Sequence, residues 1–439
     1  MPKKCVLILL DGLGDRSYAQ LGGKTPLQAA HTPTLDKLAA DGASGLYHPA
    51  AQGMALPSEN AHFSLFGYDM TDFPGRGALE ALGAGVRLSS ADVALLAHFA
   101  GLSVQNNTLL LDDGSPEAGT EELAALRESI SSFSTKEAAV TFHPTVGIYG
   151  ILRLCGNVSP FITDSDPITE KMALSAVLPW RECGGETAAA RKTAELLRSY
   201  LLWAHERLEA HQLNRARRRK GLCPINGLVT QRAGRLKNVA AFRQKYGLRG
   251  LIIASGVVYR GLGTYIGMDA EKVKDTGDPG ADIAQRLRMA RKRKNRYDFL
   301  HVHTKTPDEA GHTKDPLLKK TVIESLDAGI GREIKPLADD PDILLVVTAD
   351  HSTPSGGPLI HSGETVPVVM AGRGIRKDTV TRFDEIHAAQ GALGGLRNKE
   401  MMYMILNHLE RAKLAGIMDT PVDQPFWPGD YAPFLLDTP

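Results

Sequence analysis

Cys5-Val6-Leu7-Ile8-Leu9-Leu10-Asp11-Gly12 is the stretch that decides the fold. Six apolar residues run without a polar break into an aspartate and a glycine, the pattern of a strand buried on both faces of a parallel sheet. Two later segments repeat it. Tyr297 to His303 leads towards Asp308, and Ile343 to Thr348 leads into Asp350. Helical periodicity lies between them, over Thr32 to Asp41, Ala281 to Asn295 and Leu317 to Leu337. Apolar strands alternating with amphipathic helices predict an α/β domain with a mainly parallel sheet, whose functional loops gather at the carboxyl ends of the strands. Each of the three strands ends in or near an aspartate.

The 439-residue chain is long for a single core, and its middle changes character. Residues 86–240 carry short strand-like runs (Thr108 to Leu111, Val146 to Leu154) and a long helical stretch, Glu186 to Arg219. This predicts a smaller α+β domain inserted into a catalytic domain formed by 1–85 and 241–439. The last 24 residues are rich in proline and aromatics without periodicity, and are expected to lie as an extended surface tail.

Composition narrows the functional classes. A formal net charge of +1 gives no global field to recruit nucleic acid or an anionic membrane. The basic runs RARRRK (215–220) and RKRK (291–294) end helical stretches, where cations complement the helix dipole, and lack interleaved aromatics. Four scattered cysteines without a CxxC pair argue against a disulfide framework and fit a reducing cytosol. The six apolar residues before Asp11 are too few for a signal peptide, and no run approaches a membrane span of about 20 residues. A cytoplasmic protein acting on a small substrate is expected, with no nucleic-acid or membrane partner. Nothing in the sequence sets the oligomeric state.

Four motifs carry potential metal ligands: Asp11 in LLDGLGD, Ser58 in LPSENAH, Asp308 and His312 in DEAGH, and Asp350, His351 and His361 in TADHSTPSGGPLIHSG. Asp308 and His312 are four apart, so one helical turn projects both to the same side. A single aspartate after a strand is ordinarily a turn residue or helix cap. The ordered set has no such ordinary explanation. Carboxylates and imidazoles with one hydroxyl suit zinc or manganese, whereas calcium prefers oxygen alone.

That order resembles the two-metal core of alkaline phosphatases, sulfatases and cofactor-independent phosphoglycerate mutases. Longer strings narrow the resemblance to the archaeal-type mutases: residues 9–45, SENAHFSLFGYD (58–69), GRGALEALGAGV (75–86), DEAGHTKDPLLKKTVIESLD (308–327), residues 361–385 and AAQGALGG (388–395). The resemblance implies an alkaline-phosphatase-like fold and two divalent ions, manganese or zinc with magnesium admissible, without 2,3-bisphosphoglycerate. One ion would be held by Asp11, Ser58, Asp350 and His351, the other by Asp308, His312 and His361. Ser58 would be the nucleophile that forms a phosphoserine between 2- and 3-phosphoglycerate. Pro57 ahead of it, and the helical run Glu59 to Phe66 behind, would set Ser58 at a helix N-terminus that favours an anion.

A mutase must also hold its dephosphorylated product and exclude water, a task for the inserted domain. Asp164 and Asp166 in ITDSDP, and Arg232 and Arg235 in GLVTQRAGR, are its substrate-binding candidates, since guanidinium forks suit phosphate and carboxylate. Three departures fall in substrate-recognition regions. Pro57 to His62 replaces Gly-Ser-Asp-Thr-Ala-His, the arginine-free LLLDDGSPEAG (109–119) replaces Asp-Arg-Arg-Ala-Gly-Arg, and Thr230 to Gly234 replaces Leu-Arg-Gly-Ala-Gly. None removes a metal ligand. The alternative is a metal-dependent hydrolase of another small phosphate or phosphonate ester.

Overall fold

The computed structural model describes residues 1–436 and divides into two compact units, 1–73 with 239–439 and 74–238. In the first unit an eight-stranded sheet runs in the order Asp269–Lys272, Gly250–Ala254, Phe299–Thr304, Lys4–Leu10, Ile343–Thr348, Val366–Ala371, Ala43–His48, Gly394–Arg397. The first five strands are mutually parallel. Val366–Ala371 turns the sheet antiparallel on both of its sides. The three strands that end near aspartates are therefore neighbours at the centre, with Lys4–Leu10 between the other two.

Register does the rest. Leu10 lies opposite Thr304 and Leu9 opposite Thr348, so the three strands finish almost level. The loops leaving them, with Asp11, Asp308 and Asp350, emerge at one edge. Every residue from Cys5 to Leu10 is fully buried. At roughly 1.5–3 kcal/mol for each large apolar side chain, this burial anchors the central strand. Helices Pro279–Arg293 and Pro316–Glu333 pack on each other, and Thr306–His312 supplies the turn expected for Asp308 and His312.

The second unit is built on an antiparallel sheet. Val93–Gln105 pairs with Thr108–Asp113, Tyr149–Gly156 and Gly227–Gly234, and Ala138–Pro144 extends the sheet to Ser132–Ser134. Helix Thr187–Ala210 buries Leu197, Tyr200, Ala204 and Leu208 in the core under the sheet. The boundaries fall at 73/74 and 238/239 rather than the expected 85/86 and 240/241, because helix Arg76–Gly83 packs on Val93–Gln105 and Gly227–Gly234.

Three local expectations change. The long helix predicted over Glu186 to Arg219 is two helices, Thr187–Ala210 and Gln212–Arg219. His211 between them is extended, and its ring accepts from the Leu213 N–H at 3.2 Å. The strand expected over Val146 to Leu154 starts at Tyr149, because Gly147 takes a turn conformation with φ +55°. The tail is not simply extended: Lys413 and Trp427 donate backbone bonds to Pro425 and Arg411, and Phe426 is buried against Gly247. Residues 437–439 of that tail lie outside the described residues.

Candidate functional site

All seven side chains singled out as metal ligands meet at the carboxyl edge of the central strands. Ser58 opens helix Ser58–Leu65 behind Pro57. Its Oγ lies 2.9 Å from His351 Nε2 and 3.4 Å from Asp11 Oδ1. His351 Nε2 is in turn 3.4 Å from Asp11 Oδ1 and 3.2 Å from Asp350 Oδ2. A second group centres on Asp308 Oδ1, with His312 Nε2 at 3.2 Å and His361 Nε2 at 3.3 Å. Asp11, Asp308 and Asp350 are fully buried.

Tautomers show what such spacings need. His361 Nδ1 donates to the Leu56 carbonyl at 2.8 Å, which leaves Nε2 as a lone pair facing Asp308. The Thr353 hydroxyl donates to Asp308 Oδ1 at 2.7 Å, so it accepts from His351 Nδ1 at 3.2 Å. His351 Nε2 then also presents a lone pair to two carboxylates. In this neutral form acceptors face acceptors, an arrangement that a divalent ion between them satisfies and that, without an ion, a proton on each ring satisfies. Ligand atoms on a tetrahedral zinc ion with bonds of about 2.0–2.1 Å stand about 3.3 Å apart. The spacings around His351 Nε2 and Asp308 Oδ1 bracket that value. Among the described residues, Asp308 Oδ2 is a buried oxygen without a hydrogen-bond donor. The residues present therefore fit divalent ions in both places.

In the ion-free protein, protons on the histidines take the place of the ions. Burial first, and then the charges of Asp350 and Asp308, raise the Asp11 carboxyl to about 7. Burial would also raise Asp308, but hydrogen bonds to His312 and His361, with the charges of His351 and Lys305, hold it well below the usual range. For Asp350 burial is likewise outweighed, here by the charge of His351 and the hydrogen bond and charge of His62.

Several residues of this site escaped the sequence reading. Tyr259 donates to Asp11 Oδ2 at 2.6 Å, and His303 Nε2 meets the same oxygen at 3.0 Å. His62 Nδ1 bonds the Ser58 carbonyl at 2.8 Å and lies 3.2 Å from Asp350 Oδ2. Lys305 Nζ lies 3.6 Å from Asp308 Oδ2. Two histidines alternating in the apolar run Phe299–Thr304 were the available signal, since i and i+2 share a sheet face. Tyr259 had none. Gly12 is required here: its φ is +66°, and a Cβ would lie 2.5 Å from Thr353 Oγ1 and 2.7 Å from Asp308 Cβ.

The four substrate-binding candidates lie in the second unit and divide. Asp164 Oδ1 accepts from the Arg232 N–H at 2.6 Å, and Asp166 Oδ2 accepts from Gln231 at 2.6 Å and lies 3.9 Å from His98 Nε2. Arg232 lines a cavity of about 310 Å³ with Arg76, His98, Tyr149 and Gln231. It holds a left-handed backbone, φ +55°, where an extra residue interrupts the pairing of Gly227–Gly234 with Val93–Gln105. Such bulges re-aim side chains. Arg235 is held elsewhere, by both Glu186 oxygens at 3.0 and 3.1 Å and by the Val158 carbonyl.

Comparison with known proteins places these features in a family. The Metalloenzyme superfamily matches residues 3–408. The 2,3-bisphosphoglycerate-independent phosphoglycerate mutase 2 of Methanocaldococcus jannaschii is 39% identical over 421 residues, covering 94% of this chain and 95% of that one. The corresponding mutase of Pyrococcus furiosus is 34% identical over 418 residues, covering 94% and 99%. Among solved structures, a Pyrococcus horikoshii protein superposes with a TM-score of 0.78 at 30% identity, covering 95% of this chain and all of that one. The cofactor-independent phosphoglycerate mutase of Thermoplasma acidophilum gives 0.66 at 28% identity, covering 93% and 100%.

Proposed function

The chain belongs to the metalloenzyme superfamily and, within it, to the archaeal-type 2,3-bisphosphoglycerate-independent phosphoglycerate mutases, and on that premise we propose that it interconverts 2- and 3-phosphoglycerate through a phosphoserine at Ser58. The observation that carries the reading is the convergence of Ser58 Oγ, Asp11, Asp350 and His351 beside the Asp308, His312 and His361 group. We assign one divalent ion to each group, manganese or zinc. When bound, such ions favour the ionised serine oxygen and offset charge on the phosphoryl group.

The chain's own residues do the rest. Ser58 Oγ gives up its proton and forms a bond to phosphorus as the bond from phosphorus to the substrate's hydroxyl oxygen breaks, and that oxygen takes up a proton in its place. The neighbouring hydroxyl of the retained glycerate then gives up its proton and attacks the phosphoserine, which restores Ser58. Tyr259 and His303 fix Asp11 from behind, and His62 holds the Ser58 carbonyl, so the nucleophile enters the reaction already oriented. The N-terminal turn of Ser58–Leu65 directs backbone N–H groups towards the anion. Arg232, with Asp164 and Asp166 bracing its strand, is assigned to recognition of the organic part.

A second reading, hydrolysis of another small phosphate or phosphonate ester, is favoured by residues 109–119. Their charges are acidic at Asp112, Asp113 and Glu117, with no arginine. We further propose a cytoplasmic enzyme that acts on a small phosphorylated substrate without a membrane or nucleic-acid partner. Its four cysteines are unpaired, and no helix of the described residues is long and apolar enough to cross a membrane. The deciding assay supplies 3-phosphoglycerate to manganese- or zinc-loaded protein and follows 2-phosphoglycerate and free phosphate in one tube. Isomer without phosphate is expected. Phosphate without isomer would overturn the mutase in favour of the hydrolase.

A further inference from the structure

Helix Pro316–Glu333 begins under the loops that carry the metal donors, its first turn capped by Asp315, which accepts from the Leu317 and Leu318 N–H groups. The lysine in its opening turn, Lys319, has no solvent exposure. Its ammonium donates to the carbonyl oxygens of Gly12 at 2.8 Å, Gly14 at 2.9 Å and Thr353 at 2.7 Å, and lies 3.1 Å from Asp15 Oδ2. A lysine has three N–H donors, so these acceptors use all of them. A buried ammonium is tolerated only when its donors are matched and its charge compensated. Here Asp15 compensates it, and Asp15 is itself held by the Ser355 N–H and hydroxyl and by Tyr18.

What the ammonium holds is more telling than how it is tolerated. Gly12 and Gly14 belong to the loop leaving Asp11, and Thr353 to the loop leaving Asp350 and His351. From the same loops, the Gly12 N–H donates to Asp350 Oδ1 at 3.1 Å, and Thr353 Oγ1 bridges Asp308 Oδ1 and His351 Nδ1. Lys319 thus reaches both donor groups through one residue each. A methionine of similar length would fill the space but leave three buried carbonyls unmatched and free to turn.

We propose that Lys319 is a positioning residue that clamps the Asp11 loop to the Asp350–Thr353 loop and thereby sets the spacing between the two ion sites. It acts through backbone carbonyls and not as a ligand. The inference rests on the reading that the seven side chains hold divalent ions.

Cobalt(II) is the probe, because its d–d absorption reports donor geometry and chelator competition reports affinity. Uptake by the wild-type protein comes first: if no cobalt is bound by the seven side chains, the reading of the site itself fails. With uptake established, Lys319→Met is expected to bind cobalt about 10–100-fold more weakly, with a displaced spectrum. It should lose kcat by a similar factor while KM moves less than about twofold, as expected when catalytic geometry rather than substrate binding is disturbed. The double variant Asp15→Asn/Lys319→Met removes the charge imbalance and should regain thermal stability but neither affinity nor spectrum. Recovery of both would reduce Lys319 to a counter-ion of Asp15 and overturn the proposal, as would an unshifted spectrum in Lys319→Met. Should Lys319→Met not fold, Lys319→Arg keeps the charge but changes the donor geometry. A wild-type spectrum and affinity in that variant would equally defeat the clamp.

Discussion

In the first unit the reactive groups sit on the ends of a fully buried parallel sheet, and nearly every donor has a partner pressing on it from behind. Asp11 is held by Tyr259 and His303, Asp308 by Thr353, and His361 by the Leu56 carbonyl. In the second unit, polar groups on an antiparallel sheet brace mainly one another. Two arginines three residues apart there have opposite duties: Arg232 lines a cavity on a left-handed backbone, and Arg235 holds Glu186 and Val158. On the proposed function, chemistry that must not move is built on strands, and recognition is assigned to a bulge. Substitutions in the first unit should therefore act on kcat and metal affinity. Those around the bulge should act on KM.

The largest effect belongs to Ser58. Ser58→Ala should lower turnover by about 10⁴-fold or more while metal uptake weakens only modestly, since one donor of the set is lost. Turnover of 3-phosphoglycerate and phosphoserine trapped by acid quench would report both. Residual turnover within tenfold of wild type would remove the nucleophile from Ser58.

Arg232 tests the other half of the comparison. Arg232→Gly removes the side chain and at the same time relieves a backbone at φ +55°, which glycine adopts without strain. KM should rise about 10–100-fold, the range for losing a charged contact to substrate of roughly 1.5–3 kcal/mol. An unchanged KM would place recognition elsewhere.

How much of this was legible in the sequence follows from the same physics. The Asp11 and Asp350 strands were readable because a strand buried on both faces is dominated by apolar residues and polar ones mark its end; Phe299–Thr304 fits less closely, since His301 and His303 are buried within it. Neither the mixed sheet nor the neighbours of Asp11 could be read that way. Val366–Ala371 has the same apolar pattern whether it pairs parallel or antiparallel. Tyr259 comes from a helix 248 residues away in the chain, with no local signal. Lys319 reads as an ordinary lysine in a charged helix, and only the tertiary fold buries it. The break at His211 lacks the glycine or proline that usually announces one.

A smaller effect separates ion binding from the fold. In the ion-free protein burial, then Asp350 and Asp308, raise the Asp11 carboxyl to about 7. An ion needs that carboxyl ionised. Below pH 7 binding must therefore release a proton from Asp11, and His361, which burial would lower but its hydrogen bond to Asp308 raises, must lose one as well, so affinity should fall by at least about tenfold per pH unit towards pH 5. Chelator competition across that range measures the slope. Asp11→Asn should bind more weakly but with a shallower slope, and an equal slope would assign the proton to another group.

The smallest catalytic effect should come from Arg235, the other arginine named as a substrate-binding candidate. Arg235 offers its guanidinium to both Glu186 oxygens and to the Val158 carbonyl, and both ion-pair partners are partly exposed, so solvent screens the charge. Arg235→Gln should cost about 1–2 kcal/mol of stability, mostly because the Val158 carbonyl loses its donor. KM and kcat should stay within about twofold of wild type. The two variants then contrast in KM: Arg232→Gly raises it, whereas Arg235→Gln leaves it near the wild-type value and lowers stability. If Arg235→Gln instead raised KM as far as Arg232→Gly does, the two arginines would act together on substrate. The Glu186 contact would then be a resting state that substrate must displace, and the division of labour along this strand would collapse.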